Sequence, residues 1–390
     1  MSPSSPAPFD SLSADALRAG GSVKWTAHPE AIGAFVAEMD FGLAPAVAAA
    51  LHEAVDSGRT GYLPTALSRG LAEATAEWCT TRYQWLLDPA DVHPIADVLT
   101  GMELAIREYS APGAPVIVPT PAYMPFLVRP KALGREVIEV PSPVVDGRYA
   151  LDLDGIARAF EAGGDLLVLC NPWNPVGRVL ERGELEAVAE LVDRFGGRVF
   201  SDEIHAPLTF AGSPHVPYAS ISPLTASHTI TATSASKAFN LPGLKCAQLI
   251  LSNDADRARF EEVGGAVSHG ASGFGVIANT AAYTDGAGWL EDVLDYLDGN
   301  RRAFAALLQE HLPEVGHRAP DGTYIAWLDA RGLGLPESPA DFFLREAGVA
   351  LTDGAACGEA GAGHLRFILA TPRPILEEAV LSMAHAVRRR

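Results

Sequence analysis

A short apolar run followed at once by amides and prolines occupies the middle of the chain: Leu166-Leu167-Val168-Leu169-Cys170, then Asn171-Pro172-Trp173-Asn174-Pro175-Val176-Gly177. Five apolar residues with a turn signal directly after them predict a buried β-strand. Similar runs recur at Val116–Val118, Glu136–Val140, Arg198–Ser201, Thr229–Thr233 and Gln248–Leu251. Between them, apolar residues spaced three and four apart predict helices at Gly101–Tyr109, Leu153–Glu161 and Glu184–Phe195. This alternation predicts an α/β fold with a mostly parallel sheet flanked by helices.

The C-terminal part of the chain follows a different pattern. Trp289–Leu312 reads as one long helix, and Pro374 stands at the first turn of a terminal helix. Two glycine-rich stretches, Gly264 to Gly275 and Gly286 to Gly288, predict loops or hinges before and within this region. We therefore predict a large domain over residues 48–285 and a smaller α+β domain built from both chain ends, residues 1–47 and 286–390.

The charge balance and the hydropathy pattern exclude two classes of partner. The 390 residues include 29 Lys and Arg against 48 Asp and Glu, which gives a formal net charge of −19. A domain that binds nucleic-acid phosphates normally carries a basic surplus or a basic stripe. No stretch approaches the ~20 apolar residues that a membrane-spanning helix needs. We expect neither a nucleic-acid partner nor a membrane span.

The cysteine pattern and the N-terminus favour a cytoplasmic protein. The four cysteines are widely spaced and form no CxxC pair, so neither a disulfide framework nor a zinc site is expected. The stretch Met1–Asp10 is rich in Ser and Pro and lacks the basic and apolar regions of a signal peptide. We expect a short disordered lead and a reducing compartment.

Chemically reactive side chains follow three of the predicted strands. Asn174, Asp202 and Lys237 come shortly after Leu166–Cys170, Phe200 and Thr233 respectively. Because ligands of open α/β sheets bind at the carboxyl ends of the strands, we expect these three side chains to lie close together. A lysine beside a carboxylate suits pyridoxal phosphate, which needs a lysine for its Schiff base and an anion for its pyridinium nitrogen. Lysine is scarce here, since the chain contains only four.

The same lysine also completes an SxxK pattern, Ser234 to Lys237, which marks a serine nucleophile in penicillin-recognising enzymes. The companion SDN and KTG motifs are absent from the sequence, which disfavours this alternative. A phosphate-binding GxxxxGK[ST] loop, an HExxH motif and a GxSxG motif are absent as well. The cofactor site is therefore the better-supported interpretation.

Six motifs occurring in one order make the chain recognisable. They are Val36-Ala37-Glu38-Met39-Asp40-Phe41, Gly61-Tyr62, Pro121-Ala122-Tyr123-Met124-Pro125-Phe126, Asn171 to Gly177, Ser201 to His205, and Ser234 to Lys245. From Lys24-Trp25 through Arg366, the chain resembles fold-type I, aspartate-aminotransferase-like pyridoxal-phosphate enzymes of the class I/II aminotransferase superfamily. Within them it is similar to the MalY/PatB-like cystathionine β-lyases, which are C–S lyases. The resemblance implies a large domain with a mostly parallel mixed sheet and a smaller α+β domain.

The resemblance also implies a role for each residue around the cofactor ring. Lys237 forms the covalent link to pyridoxal phosphate and, once released, transfers protons as base and acid. Asp202 pairs with the pyridinium nitrogen. Asn174 and His205 flank the phenolic oxygen, and Tyr123 stacks on the ring face.

Further residues are implied for the phosphate and for the substrate. The phosphate is expected to contact Ser234, Ser236, Lys245 and the backbone at Gly101 and Met102, where a helix is expected to begin. Tyr62 is expected to reach it from the second subunit of a homodimer. Arg366 is expected to bind the α-carboxylate of an amino-acid substrate as a bidentate fork.

The implied reaction is β-elimination from cystathionine or another S-substituted cysteine, which gives a thiol, pyruvate and ammonia. The same residues also serve transamination, so an aminotransferase in a specialised pathway is the alternative. A cofactor-binding regulatory protein without catalysis is a third hypothesis. Phe35, Glu38, Ile368 and Cys357 stand where the family usually has Trp, Asp, Asn and Phe, which leaves the particular substrate open.

Overall fold

The structure, a computed structural model, describes residues 9–390 except for the side chain of Ala266; most of the predicted N-terminal lead therefore lies outside the described residues. The helices are α1 Ala14–Gly20, α2 Val23–Thr26, α3 Pro45–Asp56, α4 Thr65–Tyr83, α5 Val98–Glu108, α6 Pro125–Ala132, α7 Leu153–Glu161, α8 Arg182–Phe195, α9 Pro223–His228, α10 Asp254–Ser268, α11 Gly273–Asp285, α12 Ala287–His311, α13 Pro339–Ala347 and α14 Arg373–Arg388. The strands are β1 Ile32–Gly33, β2 Val92–Ile95, β3 Val116–Thr120, β4 Val137–Pro141, β5 Val144–Val145, β6 Arg148–Tyr149, β7 Leu166–Cys170, β8 Arg198–Asp202, β9 Thr229–Thr233, β10 Ala247–Leu251, β11 Gly316–His317, β12 Ile325–Asp329, β13 Val349–Ala350, β14 Thr352–Asp353 and β15 His364–Ile368.

A seven-stranded mixed sheet positions the site, with strand order β2-β10-β9-β8-β7-β3-β4. Strands β3, β4, β7, β8 and β9 pair in parallel, whereas β10 runs antiparallel to both β9 and β2. The apolar side chains of β3, β7 and β9 are buried, as expected for a sheet covered on both faces. The α/β fold predicted from the sequence is therefore confirmed.

The predicted strands all form, and their bounds move by one or two residues at most. Strand β7 matches its predicted range, and β8 extends the predicted range by one residue to include Asp202. The predicted helices at Leu153–Glu161 and Glu184–Phe195 also form, the second starting two residues earlier at Arg182. The long helix predicted at Trp289–Leu312 spans Ala287–His311.

The prediction of a loop at Gly264 to Gly275 is wrong. Helix α10 continues to Ser268, and α11 begins at Gly273, so only a short turn separates them. Ser272 caps α11 by accepting a hydrogen bond from the Gly275 backbone N–H. Likewise, Gly286 to Gly288 is not a loop, because Gly286 is the N-cap residue of α12.

A second, smaller sheet has the order β11-β12-β15-β14, and β1 pairs in parallel with β13 close to it. Trp25 and Ile32 from the N-terminal part share one hydrophobic core with residues of α12, α13, β15 and α14. Both chain ends thus contribute to one core. The predicted domain boundaries at residues 47/48 and 285/286 stay a prediction. Among the described helices, none combines the length and the apolar character needed to cross a bilayer.

Candidate active site

Strand register brings the three predicted groups to one edge of the large sheet. Asp202 is the last residue of β8, and it lies opposite Cys170 at the end of β7 and opposite Ala232 on β9. The loops that carry Asn174 and Lys237 therefore leave the sheet on either side of Asp202. Their convergence follows from parallel strands of similar length ending in register.

A cavity of about 160 Å³ lies at this edge. Eight of the predicted site residues line it, namely Tyr123, Asn174, Asp202, His205, Ser234, Ser236, Lys237 and Lys245. Tyr123 lies against Phe126 in an edge-to-face contact with ring centroids 5.4 Å apart. The cavity is thus bordered by a flat aromatic ring, a buried acid and a partly buried amine.

The Lys237 side chain is partly buried, and its surroundings lower the pKa of its amine. Its Nζ donates a hydrogen bond to the backbone carbonyl of Ala37 at 2.9 Å. Burial, assisted by the positive charge of Arg366, lowers the pKa of Lys237 from 10.5 to about 8, and the nearby carboxylates of Glu38 and Asp202 oppose that shift. An amine with a pKa near 8 can both accept and return a proton close to neutral pH.

Asp202 and His205 are both buried, and each has hydrogen-bonding capacity that faces no described protein partner. Oδ1 of Asp202 accepts a bond from the Ile204 backbone N–H at 3.0 Å. Burial, with a contribution from Glu203, raises the pKa of Asp202 from 3.8 to about 7. Burial lowers the pKa of His205 to about 3, and its Nδ1 has no hydrogen-bond partner among the described residues. A nearby cation favours the ionised form of a buried carboxyl group, so the surroundings of Asp202 suit a cationic partner.

The raised pKa of Asp202 gives a testable pH dependence of folding stability. The native state binds more protons than the unfolded state between pH 3.8 and about 7, so this contribution to stability is lost as pH rises through that window. Between about pH 5.5 and pH 8, we expect the cofactor-free wild type to lose about 2 kcal/mol of unfolding free energy relative to Asp202→Asn.

The measurement is urea denaturation of both cofactor-free proteins across this range, which stays above the isoelectric point of 4.9. The asparagine variant serves as the control because its amide stays uncharged at every pH. Parallel stability curves for the two proteins would contradict the prediction.

Hydroxyl and amine groups gather at the opposite end of the cavity. The Ser234 hydroxyl donates to the Cys246 carbonyl at 2.7 Å and accepts from the Ser236 N–H at 3.0 Å. Lys245 Nζ lies 3.0 Å from Oδ2 of Asp97 and is more than half exposed. Donors of this kind can bind a phosphate.

The expected helix start at Gly101 and Met102 needs correction. Helix α5 begins at Val98, because Asp97 accepts hydrogen bonds from the Thr100 N–H and hydroxyl and so caps the helix earlier. The Gly101 N–H already donates to the Asp97 carbonyl, and the Met102 side chain is fully buried in the core. Val98 and Leu99 line the cavity instead, with the free N–H groups of a helix N-terminus.

Arg366 and Tyr62 lie outside the cavity lining. Arg366 is buried on β15, where Nη2 donates to the Phe35 carbonyl at 2.9 Å and Nη1 donates to Oδ1 of Asn174 at 3.3 Å. Burial lowers its pKa from the usual arginine value. Arg366 therefore reaches the site through Asn174, whereas Tyr62 is 97% exposed on its own chain.

Sequence reasoning missed three groups at the site. The Ala37 carbonyl accepts from Lys237, Asp97 contacts Lys245, and the Tyr324 hydroxyl donates to the same Ala37 carbonyl at 3.0 Å. The position of Asp97 before a helical pattern is an N-cap signal that could have located it. A backbone carbonyl leaves no such signal, and Tyr324 reads as an ordinary strand residue.

A larger cavity, about 390 Å³, opens between the 144–149 hairpin, the loop at 316–321 and β12. It contains none of the predicted site residues. Its Arg148, Arg178 and Arg331 side chains are already paired with carboxylates. The smaller cavity holds a buried acid of raised pKa and an amine of lowered pKa, so it is the better candidate for an active site.

Residues 35–382 match the family model described as aminotransferase class I and II. The chain belongs to this family. A Mycobacterium tuberculosis relative, named only provisionally as a cystathionine beta-lyase, is 42% identical over 99% of both chains. The cystathionine beta-lyase of Corynebacterium glutamicum is 37% identical over 93% of this chain and 95% of its own. Cystalysin of Treponema denticola, whose crystal structure contains pyridoxal 5'-phosphate, superposes with a TM-score of 0.90 at 28% identity, covering 99% and 100% of the two chains.

Proposed function

We propose that this protein is a pyridoxal-phosphate-dependent carbon–sulfur β-lyase. Its substrate is cystathionine or another S-substituted cysteine, and its products are a thiol, pyruvate and ammonia. The observation that carries the proposal is the presence of Lys237 and the buried Asp202 in one cavity, within a chain that resembles cystathionine beta-lyases along almost its whole length. When bound, pyridoxal phosphate supplies the electron sink for bond breaking at the substrate α-carbon.

The residues around the cavity fit this cofactor in charge and hydrogen bonding. Burial raises the pKa of Asp202 to about 7 although the Lys237 amine opposes that shift, and a protonated pyridine nitrogen would supply a further cation beside this carboxyl. Nδ1 of His205 has no hydrogen-bond partner among the described residues, so it can form a hydrogen bond with the bound cofactor near Asn174. At the other end, we infer that Ser234, Ser236, Lys245 and the N–H groups of Val98 and Leu99 bind the phosphate.

Each polar group then has one task in the reaction. Lys237 removes the α-proton of the substrate with its Nζ and later returns a proton. Arg366 binds the α-carboxylate, and Tyr123 packs against the flat face of the bound ring. Arg366 is buried and the other two groups are partly buried, which limits the access of water to the α-carbon and strengthens their electrostatic contacts.

Product analysis distinguishes elimination from transamination. The purified protein, loaded with pyridoxal phosphate, is incubated with cystathionine or S-methylcysteine, with and without a 2-oxo acid. We expect pyruvate and free thiol in equal amounts, with no dependence on the 2-oxo acid. Methionine is the control substrate, because its sulfur lies one carbon too far for β-elimination. Amino transfer to the 2-oxo acid without thiol release would establish the aminotransferase alternative.

We further propose that the active enzyme is a homodimer in which Tyr62 of one subunit contacts the phosphate in the other. Two observations support this arrangement. Tyr62 is almost fully exposed on its own chain, and Leu43 and Val55, which are close to it in sequence, are also exposed apolar residues. Exposed apolar side chains that lie together mark interaction surfaces, so we infer that this part of the chain faces the second subunit.

Mixed dimers test this assignment. Lys237→Ala and Tyr62→Ala each remove one group, so both homodimers are expected to have low activity. If Tyr62 acts across the interface, random mixing of the two chains restores about a quarter of wild-type specific activity, since half the dimers carry one complete site. Leu86→Ala, which removes another exposed apolar side chain, replaces Tyr62→Ala in the control mixture. Activity no higher than half that of the Tyr62→Ala homodimer in the test mixture would place Tyr62 in its own subunit's site.

We propose that the enzyme works in the cytoplasm. The described structure leaves Cys79, Cys170, Cys246 and Cys357 free, and three of them are buried. Free buried thiols are typical of a reducing compartment.

A further inference from the structure

Residues 35–40 form a segment, here called the strap, that contacts two groups of the proposed site. The Phe35 carbonyl accepts a hydrogen bond from Arg366, and the Ala37 carbonyl accepts one from Lys237. These two side chains are the ones to which we assign carboxylate binding and proton transfer. The position of the strap backbone therefore bears directly on where both side chains rest.

A second donor reaches the same Ala37 carbonyl. The Tyr324 side chain is almost completely buried, and its hydroxyl lies 3.0 Å from the Ala37 oxygen. A carbonyl oxygen has two lone pairs, so one can accept from Lys237 while the other accepts from Tyr324. Burial raises the pKa of Tyr324 far above its ordinary value, so the hydroxyl stays protonated and remains a donor.

The backbone before Tyr324 is held in an unusual conformation. Thr323 has φ of +66°, the left-handed region that β-branched residues rarely adopt. Its N–H donates to the Leu208 carbonyl at 2.6 Å, and its hydroxyl accepts from the Ile325 N–H at 3.0 Å. A strained residue persists where its surroundings fix it, so the position of the Tyr324 ring is tightly determined.

The Glu38 N–H, which shares a peptide unit with the Ala37 carbonyl, donates to the Val36 carbonyl at 2.8 Å, and further contacts fix the far end of the strap. The Asn240 amide bonds both the N–H and the carbonyl of Met39, at 3.0 and 2.9 Å. Lys24 and Trp25 each contact the buried Asp40 carboxylate at 2.8 Å. Among the described residues, Tyr324 is the one donor to the Ala37 carbonyl besides Lys237, so removal of its hydroxyl would loosen that carbonyl while leaving Met39 and Asp40 anchored.

We propose that Tyr324 is a positioning residue, which holds the Ala37 carbonyl as the resting place of the Lys237 amine whenever that amine is not linked to the cofactor. The role of Lys237 in this inference rests on the proposed function. From this position the amine returns to the substrate α-carbon without searching through other rotamers. Tyr324 thus acts on proton transfer without touching substrate.

Tyr324→Phe removes the hydroxyl and keeps the ring. In the loaded enzyme we expect kcat to fall about tenfold while KM stays within about twofold, because the amine is misplaced but the carboxylate site is intact. We also expect a larger isotope effect on kcat with α-deuterated substrate, since proton transfer becomes slower. Tyr218→Phe is the matched control, as Tyr218 is equally buried and its hydroxyl has one side-chain partner, His228, at 3.0 Å.

A second readout does not depend on catalysis. Competitive acetylation of the cofactor-free chain, followed by mass spectrometry, reports the reactivity of each of the four lysines. We expect Lys237 to react several-fold faster in Tyr324→Phe than in wild type, because an amine without a fixed acceptor is more often neutral and free. Exposed Lys131 is the reference, and buried Lys24 reports any general opening of the structure.

The kinetic measurements and the acetylation rates together test the positioning role of Tyr324 separately from the proposed lyase activity. Faster labelling of Lys237 alone supports the positioning role even if the lyase assay fails. Unchanged labelling together with an unchanged isotope effect overturns it. Equal acceleration at Lys24 and Lys237, or in the Tyr218→Phe control, also overturns it, because that result indicates general loosening.

Discussion

Lys237→Ala is expected to lower kcat for β-elimination by at least about 10³-fold, because the change removes both the covalent anchor of the cofactor and the base at the α-carbon. Burial lowers the pKa of this amine to about 8, so a useful fraction is neutral under physiological conditions. The site holds one other lysine, Lys245, whose Nζ is engaged by Asp97. Pyruvate formation measures the loss, and the visible absorption band of the linked cofactor should disappear with it.

Two further variants show why activity is lost. Lys237→Arg keeps a positive charge and a long side chain but cannot form the covalent link or act as a base near neutral pH, so it should be as inactive as alanine. Lys131→Ala removes an exposed lysine from α6 and should leave activity and absorption unchanged. Substantial elimination by Lys237→Arg would show that charge alone is sufficient, and the assignment of the base would fail.

Arg366→Lys is expected to lower kcat/KM by about 10²-fold, which corresponds to about 3 kcal/mol of lost transition-state stabilisation. The guanidinium is buried on β15 and donates to the Phe35 carbonyl and to Asn174, so its plane is fixed before substrate arrives. A lysine ammonium retains the charge but cannot offer two parallel N–H groups to a carboxylate. Steady-state kinetics with S-methylcysteine measure the effect.

A substrate without the α-carboxylate provides the decisive comparison. Wild type and Arg366→Lys should process S-methylcysteamine at equally low rates, because neither can use the missing carboxylate. Arg331→Lys is the control variant, since Arg331 is largely exposed and pairs with Asp329 at the larger cavity. If the Arg366 variant were equally impaired on the decarboxylated substrate, Arg366 would have a structural role only.

The regular elements of the large sheet could be predicted because short apolar strands and amphipathic helices alternate with clear turn signals. Strand β2 was missed, since His93 and Pro94 interrupt the apolar pattern of an edge strand that pairs with β10 through backbone groups. The helices on either side of His269 were misread as a loop because glycine has a low helix propensity. There, capping by Asn253 and Ser272 and packing of α11 outweigh that propensity.

The candidate site likewise contains some groups that the sequence predicts and others that it does not. Side chains that follow strands, such as Asn174, Asp202 and Lys237, could be predicted to converge because parallel strands end at one edge. Helix α5 begins three residues earlier than the sequence predicts, because Asp97 caps it at Val98. The strap carbonyls could not be predicted at all, because a backbone oxygen has no sequence signal and its position depends on contacts from distant residues.

The pairing of β1 with β13 has a consequence for synthesis of the chain. Phe35 lies in the segment that follows β1. Its carbonyl accepts hydrogen bonds from Thr352 and from Arg366, and Thr352 lies 317 positions further along the chain. Contacts that close such a long loop form late in folding. A nascent chain on the ribosome therefore exposes Lys237 and Asp202 well before the strap can be fixed, and the complete binding site arises only after β15 has emerged. Chains that terminate before β15 should accordingly accumulate as aggregation-prone species that have the central sheet but no catalytic competence.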